Sequence, residues 1–167
     1  MLEQNEEGMD MYSYSEIVDE LLKEFPEIIG RYAEELSWIR DTFQDQETRG
    51  ETIYFDRCFC DYIGRLLANE RQDKGKIKKV FAFLEDMATS EDQEVKNLLQ
   101  VTVLEYLRSW YLLQRESEKF MQLETRKMFD AVKSYLEEPA KDAIPLFSTP
   151  GGLPFYALEP KRTEVHG

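Results

Sequence analysis

The stretch EVKNLLQVTVLEYL, residues 94–107, decides the fold. Its apolar side chains cover nearly every side of a helix. Val95, Leu98, Leu99, Thr102 and Tyr106 share one face, and Val101, Val103, Leu104 and Leu107 widen it. A helix that is apolar all round is one that other elements surround. The β-branched run Val101, Thr102, Val103 costs roughly a few tenths of a kcal/mol per residue in helix propensity, which packing overrides. The stretch therefore reads as a buried central helix over 91–107. Ser90 is placed to cap it, and Glu91, Asp92 and Glu94 suit its N-terminal dipole. Asn97 and Glu105 are polar residues on this helix, and if buried there each needs a hydrogen-bonding partner.

Working outward, YSYSEIVDELLKEF (12–25) begins with a capping box. Ser13 is placed to accept from the amide of Glu16, and Glu16 to reach back. Ile17, Val18, Leu21, Leu22 and Phe25 repeat at helical spacing, so the first helix spans about 14–25. Pro26 suits the first turn of a second helix, whose inner stripe is Phe25, Ile28, Ile29, Tyr32, Leu36, Ile39 and Phe43. QDQETRGE (44–51) breaks the pattern at Gly50.

IYFDRCFCDYIGRLLANE (53–70) is a third helix, with Phe55, Cys58, Phe59, Tyr62, Ile63 and Leu66 inward. A glycine inside a helix costs about 1 kcal/mol against alanine, so Gly64 calls for a close helix–helix approach. In the fourth helix, KIKKVFAFLEDMATS (76–90), Ile77, Val80, Phe81, Leu84 and Ala88 line up. An unbroken helix over 91–137 would be about 70 Å long at about 1.5 Å per residue, so breaks are expected near Arg108–Trp110 and Gln122. Met128, Phe129, Val132, Tyr135 and Leu136 then close the core.

The fold expected is all-α. One domain over 1–137, with 1–13 open to disorder, forms a bundle or short HEAT-like stack of about six helices around residues 91–107. Residues 138–167 form an irregular tail holding five of the six prolines. Its Ile144, Leu146, Phe147, Leu153, Phe155 and Tyr156 suggest that part of it docks on the domain.

Composition narrows the function. The chain has 167 residues, 42 % of them hydrophobic, a globular composition. No apolar run reaches the roughly 18 residues of a membrane span, and the acidic opening MLEQNEEGMD does not resemble a signal peptide. The expectation is a cytoplasmic protein. The net charge of −13 lies almost wholly in residues 1–70, which disfavours nucleic acid as a partner and permits a basic protein.

Chemistry is sparse. His166 is the single histidine and lies next to the C-terminus. There is no phosphate-binding glycine loop, and paired acids such as Glu34/Glu35, Glu85/Asp86 and Glu91/Asp92 read as a solvated face. Cys58 and Cys60 are too close in sequence for a disulfide and point about 200° apart on a helix, so one faces the core and the other a different neighbour or solvent. Neither a metal nor a cofactor is expected, and the chain reads as a non-enzyme.

The residue that stands out is Trp38. It lies off the apolar stripe, with Glu27, Glu34 and Asp41 on its side of the second helix and Asp45 just beyond. A tryptophan rimmed by acids has the composition of a binding hot spot. The plainer reading is that another element covers it.

EFPEI (24–28), YFDRCFCDYIGRLL (54–67), VFAFLEDMA (80–88) and EVKNLLQVTVLEYL together resemble a family of small bacterial helical proteins akin to immunity proteins of polymorphic toxin systems. The resemblance spans roughly 17–137 and implies no catalytic residues. It implies a protein that neutralises a cognate toxin, such as a nuclease, by occluding its active site. Two other readings stand beside it: an adaptor that recruits partners through its tail, and a small-ligand binder using Asn97 or Glu105 in a pocket between helices.

Overall fold

Half of the stretch 94–107 is a π-helix. The computed structural model describes residues 12–43, 50–145 and 147, and among them every regular element is helical. A 3-10 turn, Tyr14–Glu16, leads into α1 (Ile17–Glu24), followed by α2 (Glu27–Arg31) and α3 (Ala33–Phe43). Helix α4 (Glu51–Tyr54) runs through a first π segment, Phe55–Phe59, into α5 (Cys60–Ala68). Helix α6 (Lys74–Ala88) is the longest. Then α7 (Gln93–Asn97), a second π segment, Leu98–Leu104, and α8 (Glu105–Arg108) form one rod. Helices α9 (Tyr111–Glu118) and α10 (Leu123–Tyr135) follow. The result is an all-α bundle.

The breaks expected after 107 occur at Ser109–Trp110, where Trp110 is extended, and again before α10, where Gln122 is extended. At the first break Arg108 is buried and locks the corner. Its guanidinium donates to the Leu136 carbonyl (Nη2, 2.9 Å) and to Gln114 Oε1 (Nη1, 2.7 Å). The chain end of α10 is thereby tied to the end of α8.

The two π segments pack on each other. Hydrogen bonding from i to i+5 widens the turn and rotates side chains away from their α-helical bearings. This corrects the expectation of burial on all sides. Leu98, Leu99, Val103, Leu104 and Leu107 are inside, but Val101 is 57 % exposed. Asn97 is exposed, and its Oδ1 accepts from the neighbouring Gln93 side chain. Glu105 is only half-buried, and its carboxylate accepts from the Tyr135 hydroxyl at 2.7 Å on the surface. Neither residue is the buried polar group the pattern suggested, because the rod has one wet side. Cys58 and Cys60 are both buried, since the first π segment is packed on two sides, and the Cys60 thiol donates to the Thr102 carbonyl across the π–π contact (3.5 Å).

The core is centred on Phe25, Phe59 and Phe83, whose ring centroids are mutually 5.6 Å apart. Phe83 lies outside the stripe read on the fourth helix. Helix α6 is covered on more than one side, by α5 and by α10, so a second row of its residues is buried.

Several caps also differ from the local reading. The Ser13 side chain caps nothing, because the Glu16 amide bonds the Ser13 carbonyl instead (3.1 Å). Asp92, rather than Ser90, caps α7 through the Glu94 amide, and its other oxygen accepts from the Tyr14 amide at 2.8 Å. Ser90 links Tyr12 to Asp92, donating to the Tyr12 carbonyl at 2.7 Å.

Gly64 marks a close approach, as its place inside a helix suggested. A β-carbon there would collide with the Tyr106 hydroxyl and come within 2.7 Å of the Phe147 ring. Gly64→Ala is expected to lose about 0.5–2 kcal/mol of stability, the usual cost of overpacking less the roughly 1 kcal/mol that alanine gains over glycine inside a helix. Urea unfolding reads this directly, and a loss below about 0.5 kcal/mol would mean that both rings swing aside freely.

Candidate functional site

Helix α3 carries the sequence candidates. Positions 34, 38 and 41 stack along one helix face, following the i, i+3, i+4 rule. Glu34 and Asp41 are exposed, and Trp38 is 46 % exposed. The opposite row, Tyr32, Leu36 and Ile39, is buried and holds the helix on the core. The indole is positioned on both sides by neighbours. The Arg57 guanidinium, from the first π segment, lies 4.6 Å from its ring centroid, and Phe43 meets it edge-on at 6.3 Å. A cation–π contact of this kind contributes about 0.5–1 kcal/mol at an exposed site. Trp38 is therefore held in place while nearly half of it stays in water.

Glu27 does not belong to this group. It sits on α2, and its carboxylate accepts a short hydrogen bond from the Tyr62 hydroxyl. Burial pushes its pKa up, but the Tyr62 hydrogen bond, its own backbone amide, Lys76 and Lys79 outweigh that and leave it below the usual range. Asp45 lies outside the described residues. The acid rim expected around Trp38 reduces to Glu34 and Asp41 among the described residues, with one cation, Arg57, against the ring.

Beneath α3 the chemistry is acidic and inert. Burial drives the Cys58 thiol up to about 12, with the Glu35 and Asp61 charges adding to the effect, and burial raises Cys60 in the same direction. Thiols so far from ionisation are poor nucleophiles. Glu35 Oε1 is buried without a hydrogen-bond partner among the described residues. Asp61 is buried and joins α5 to the end of α2, accepting from Tyr32 Oη and Arg65 Nε, both at 2.7 Å.

Besides a cleft of about 380 Å³ beside Gln72 and Glu116, two clefts open on the described surface. One, of about 510 Å³, lies between α2, α5 and the start of α6, with Arg31, Arg65 and Lys76 on its walls. The residue pattern had offered one signal for it: the first turn of α6 carries lysines and no acid. The other, of about 240 Å³, includes Asn97 beside Val101. Glu105 lines neither cleft.

No group of three or more His, Cys, Asp or Glu side chains placed to hold a metal is found among the described residues. No helix among them is long and apolar enough to cross a membrane. The apolar tail residues Leu146, Leu153, Phe155 and Tyr156 lie outside the described residues, whereas Phe147 rests under Arg65, 5.3 Å from guanidinium to ring centroid.

Neither the curated proteins nor the solved structures contain a match to this chain. A family model does match, over residues 18–137, which takes in α1 but for its first residue, α2 to α10 and both π segments. The chain belongs to the family described as Domain of unknown function (DUF7674).

Proposed function

We propose that this is a non-enzymatic protein-binding protein that engages a basic partner through the outer face of α3. The observation that carries the reading is Trp38, 46 % exposed and held by Arg57 and Phe43, with exposed Glu34 and Asp41 one turn away on either side. An indole fixed in advance loses little entropy on binding, and such residues anchor interfaces. The neighbouring acids, within the half of the chain that holds most of the −13 net charge, would steer a basic surface towards it.

In its sharper form the proposal is an immunity protein that covers the active site of a cognate toxin. That form rests on the sequence resemblance and on the charge. A nuclease presents a basic cleft for phosphates, and an acidic surface can occupy it.

Surface plasmon resonance against the product of a neighbouring toxin gene, at two salt concentrations, tests both forms. Trp38→Ala is expected to raise the off-rate at least about tenfold, equivalent to about 1.4 kcal/mol. Joint reversal of Glu34 and Asp41 to lysine is expected to slow association, as is added salt, because the Debye length of about 10 Å at 0.1 M screens exposed charges. Tight binding that ignores salt and all three substitutions would move the interface off α3.

A further inference from the structure

The cleft between α2, α5 and α6 has a charge opposite to that of the protein. In a chain of net charge −13, its walls carry Arg31, Arg65 and Lys76 against a single carboxylate, Glu27. That carboxylate accepts from the Tyr62 hydroxyl and lies in the field of Lys76 and Lys79. Arg31 and Lys76 make no ion pair with any described residue, and both are exposed. Arg65 uses its Nε on Asp61 and leaves its two terminal nitrogens without a hydrogen bond to the described residues.

The stability of helix α6 does not explain this arrangement. Lysines in the first turn of a helix oppose its dipole, at about 0.3–1 kcal/mol each. Helix α6 nevertheless opens with Lys74 and Lys76 and has no acid there, while its amide end is already capped by Asp73, which accepts from the Lys76 amide at 3.1 Å. Like charges gathered in one concavity raise the local potential.

We propose that the cleft binds a phosphorylated small molecule of nucleotide size. Two guanidinium groups and an ammonium suit a polyvalent phosphate, which guanidinium forks grip in a bidentate manner. The volume of about 510 Å³ exceeds what a bare phosphate fills and lies within the roughly 300–1,000 Å³ of small-molecule sites. The rings of Tyr62 and Phe147 and the Leu66 side chain provide an apolar wall for the organic part, and Asn69 provides an amide for its polar edge. This site is separate from the α3 face and does not depend on the protein-binding proposal.

Isothermal titration calorimetry of the full chain with ADP, inorganic pyrophosphate and adenosine tests it. ADP is expected to bind one to one, more tightly than pyrophosphate, while adenosine gives no saturable heat. The double substitution Arg31→Gln, Lys76→Gln removes two exposed side chains that make no ion pair within the described residues, and a thermal melt verifies that the variant is folded. It is expected to weaken ADP binding at least about tenfold, whereas Lys127→Gln on α10 has no effect. Amide shifts on ADP addition should centre on Arg31, Arg65 and Asn69. The absence of saturable binding by ADP and pyrophosphate below about 1 mM overturns the proposal, as does an affinity unmoved by the double substitution. Pyrophosphate binding as tightly as ADP overturns the claim for an organic moiety.

Discussion

Asp61→Ala is expected to cost this protein about 3 kcal/mol of folding stability, the lower end of the range for breaking a buried ion pair. Asp61 is 4 % exposed and receives two hydrogen bonds at 2.7 Å, one from the hydroxyl of fully buried Tyr32 and one from Arg65 Nε. Its removal strands a buried hydroxyl and leaves the guanidinium without its counter-charge. The Arg65 side chain keeps 27 % exposure, so water will compensate part of the charge, which places the loss at the low end. Asp61→Asn keeps an acceptor for Tyr32 and should lose less, about 1–2 kcal/mol. Chemical denaturation of the two variants separates the cases. Equal losses would mean that shape rather than charge holds the joint, and a loss below about 1 kcal/mol for alanine would mean that water replaces the carboxylate. The proposed binding face is coupled to this joint. Tyr32 lies between α2 and α3, so loosening it should also free the helix that presents Trp38.

Glu85→Ala is expected to cost about 2–3 kcal/mol by uncapping a helix that starts nearly forty residues later. The carboxylate of Glu85 on α6 accepts from the amides of Glu124 and Thr125 at 2.9 Å each, and from the Thr125 hydroxyl at 2.8 Å. These are unsatisfied first-turn donors of α10, where a negative charge also meets the helix dipole. Thr125 is fully buried, so water is a poor substitute for the lost acceptor. Hydrogen bonds to a charged group contribute about 1.5–3 kcal/mol, and the three share one carboxylate and do not add in full. Hydrogen exchange should show the Glu124 and Thr125 amides losing protection before the rest of α10. If they stay protected in Glu85→Ala, another group has taken over the cap. Glu85→Gln should recover part of the stability, because one acceptor oxygen remains while the charge is lost.

Local residue pattern alone was enough to establish the all-α class, the breaks near Trp110 and Gln122, the turn at Gly50 and the tight approach at Gly64. These follow from spacing of three and four residues, from glycine's lack of a side chain and from the length a small domain can hold. Trp38 was legible as lying off the apolar stripe, since it falls outside the row of Leu36 and Ile39, but whether another element covers it was not. Tertiary structure decided what depends on partners far along the chain. Glu85 looked like half of a solvated acid pair and is a cap, because its donors lie on α10. Glu27 looked like part of the Trp38 rim and faces Tyr62 and the basic cleft, because α2 and α3 are separate helices rather than one. Asn97 and Glu105 looked buried and are not, because the rod has one side open to water, where Val101 also lies. A period of 3.6 residues carries no information about where a helix departs from that period. That departure is set by packing against the first π segment and α10, which only the folded chain brings alongside.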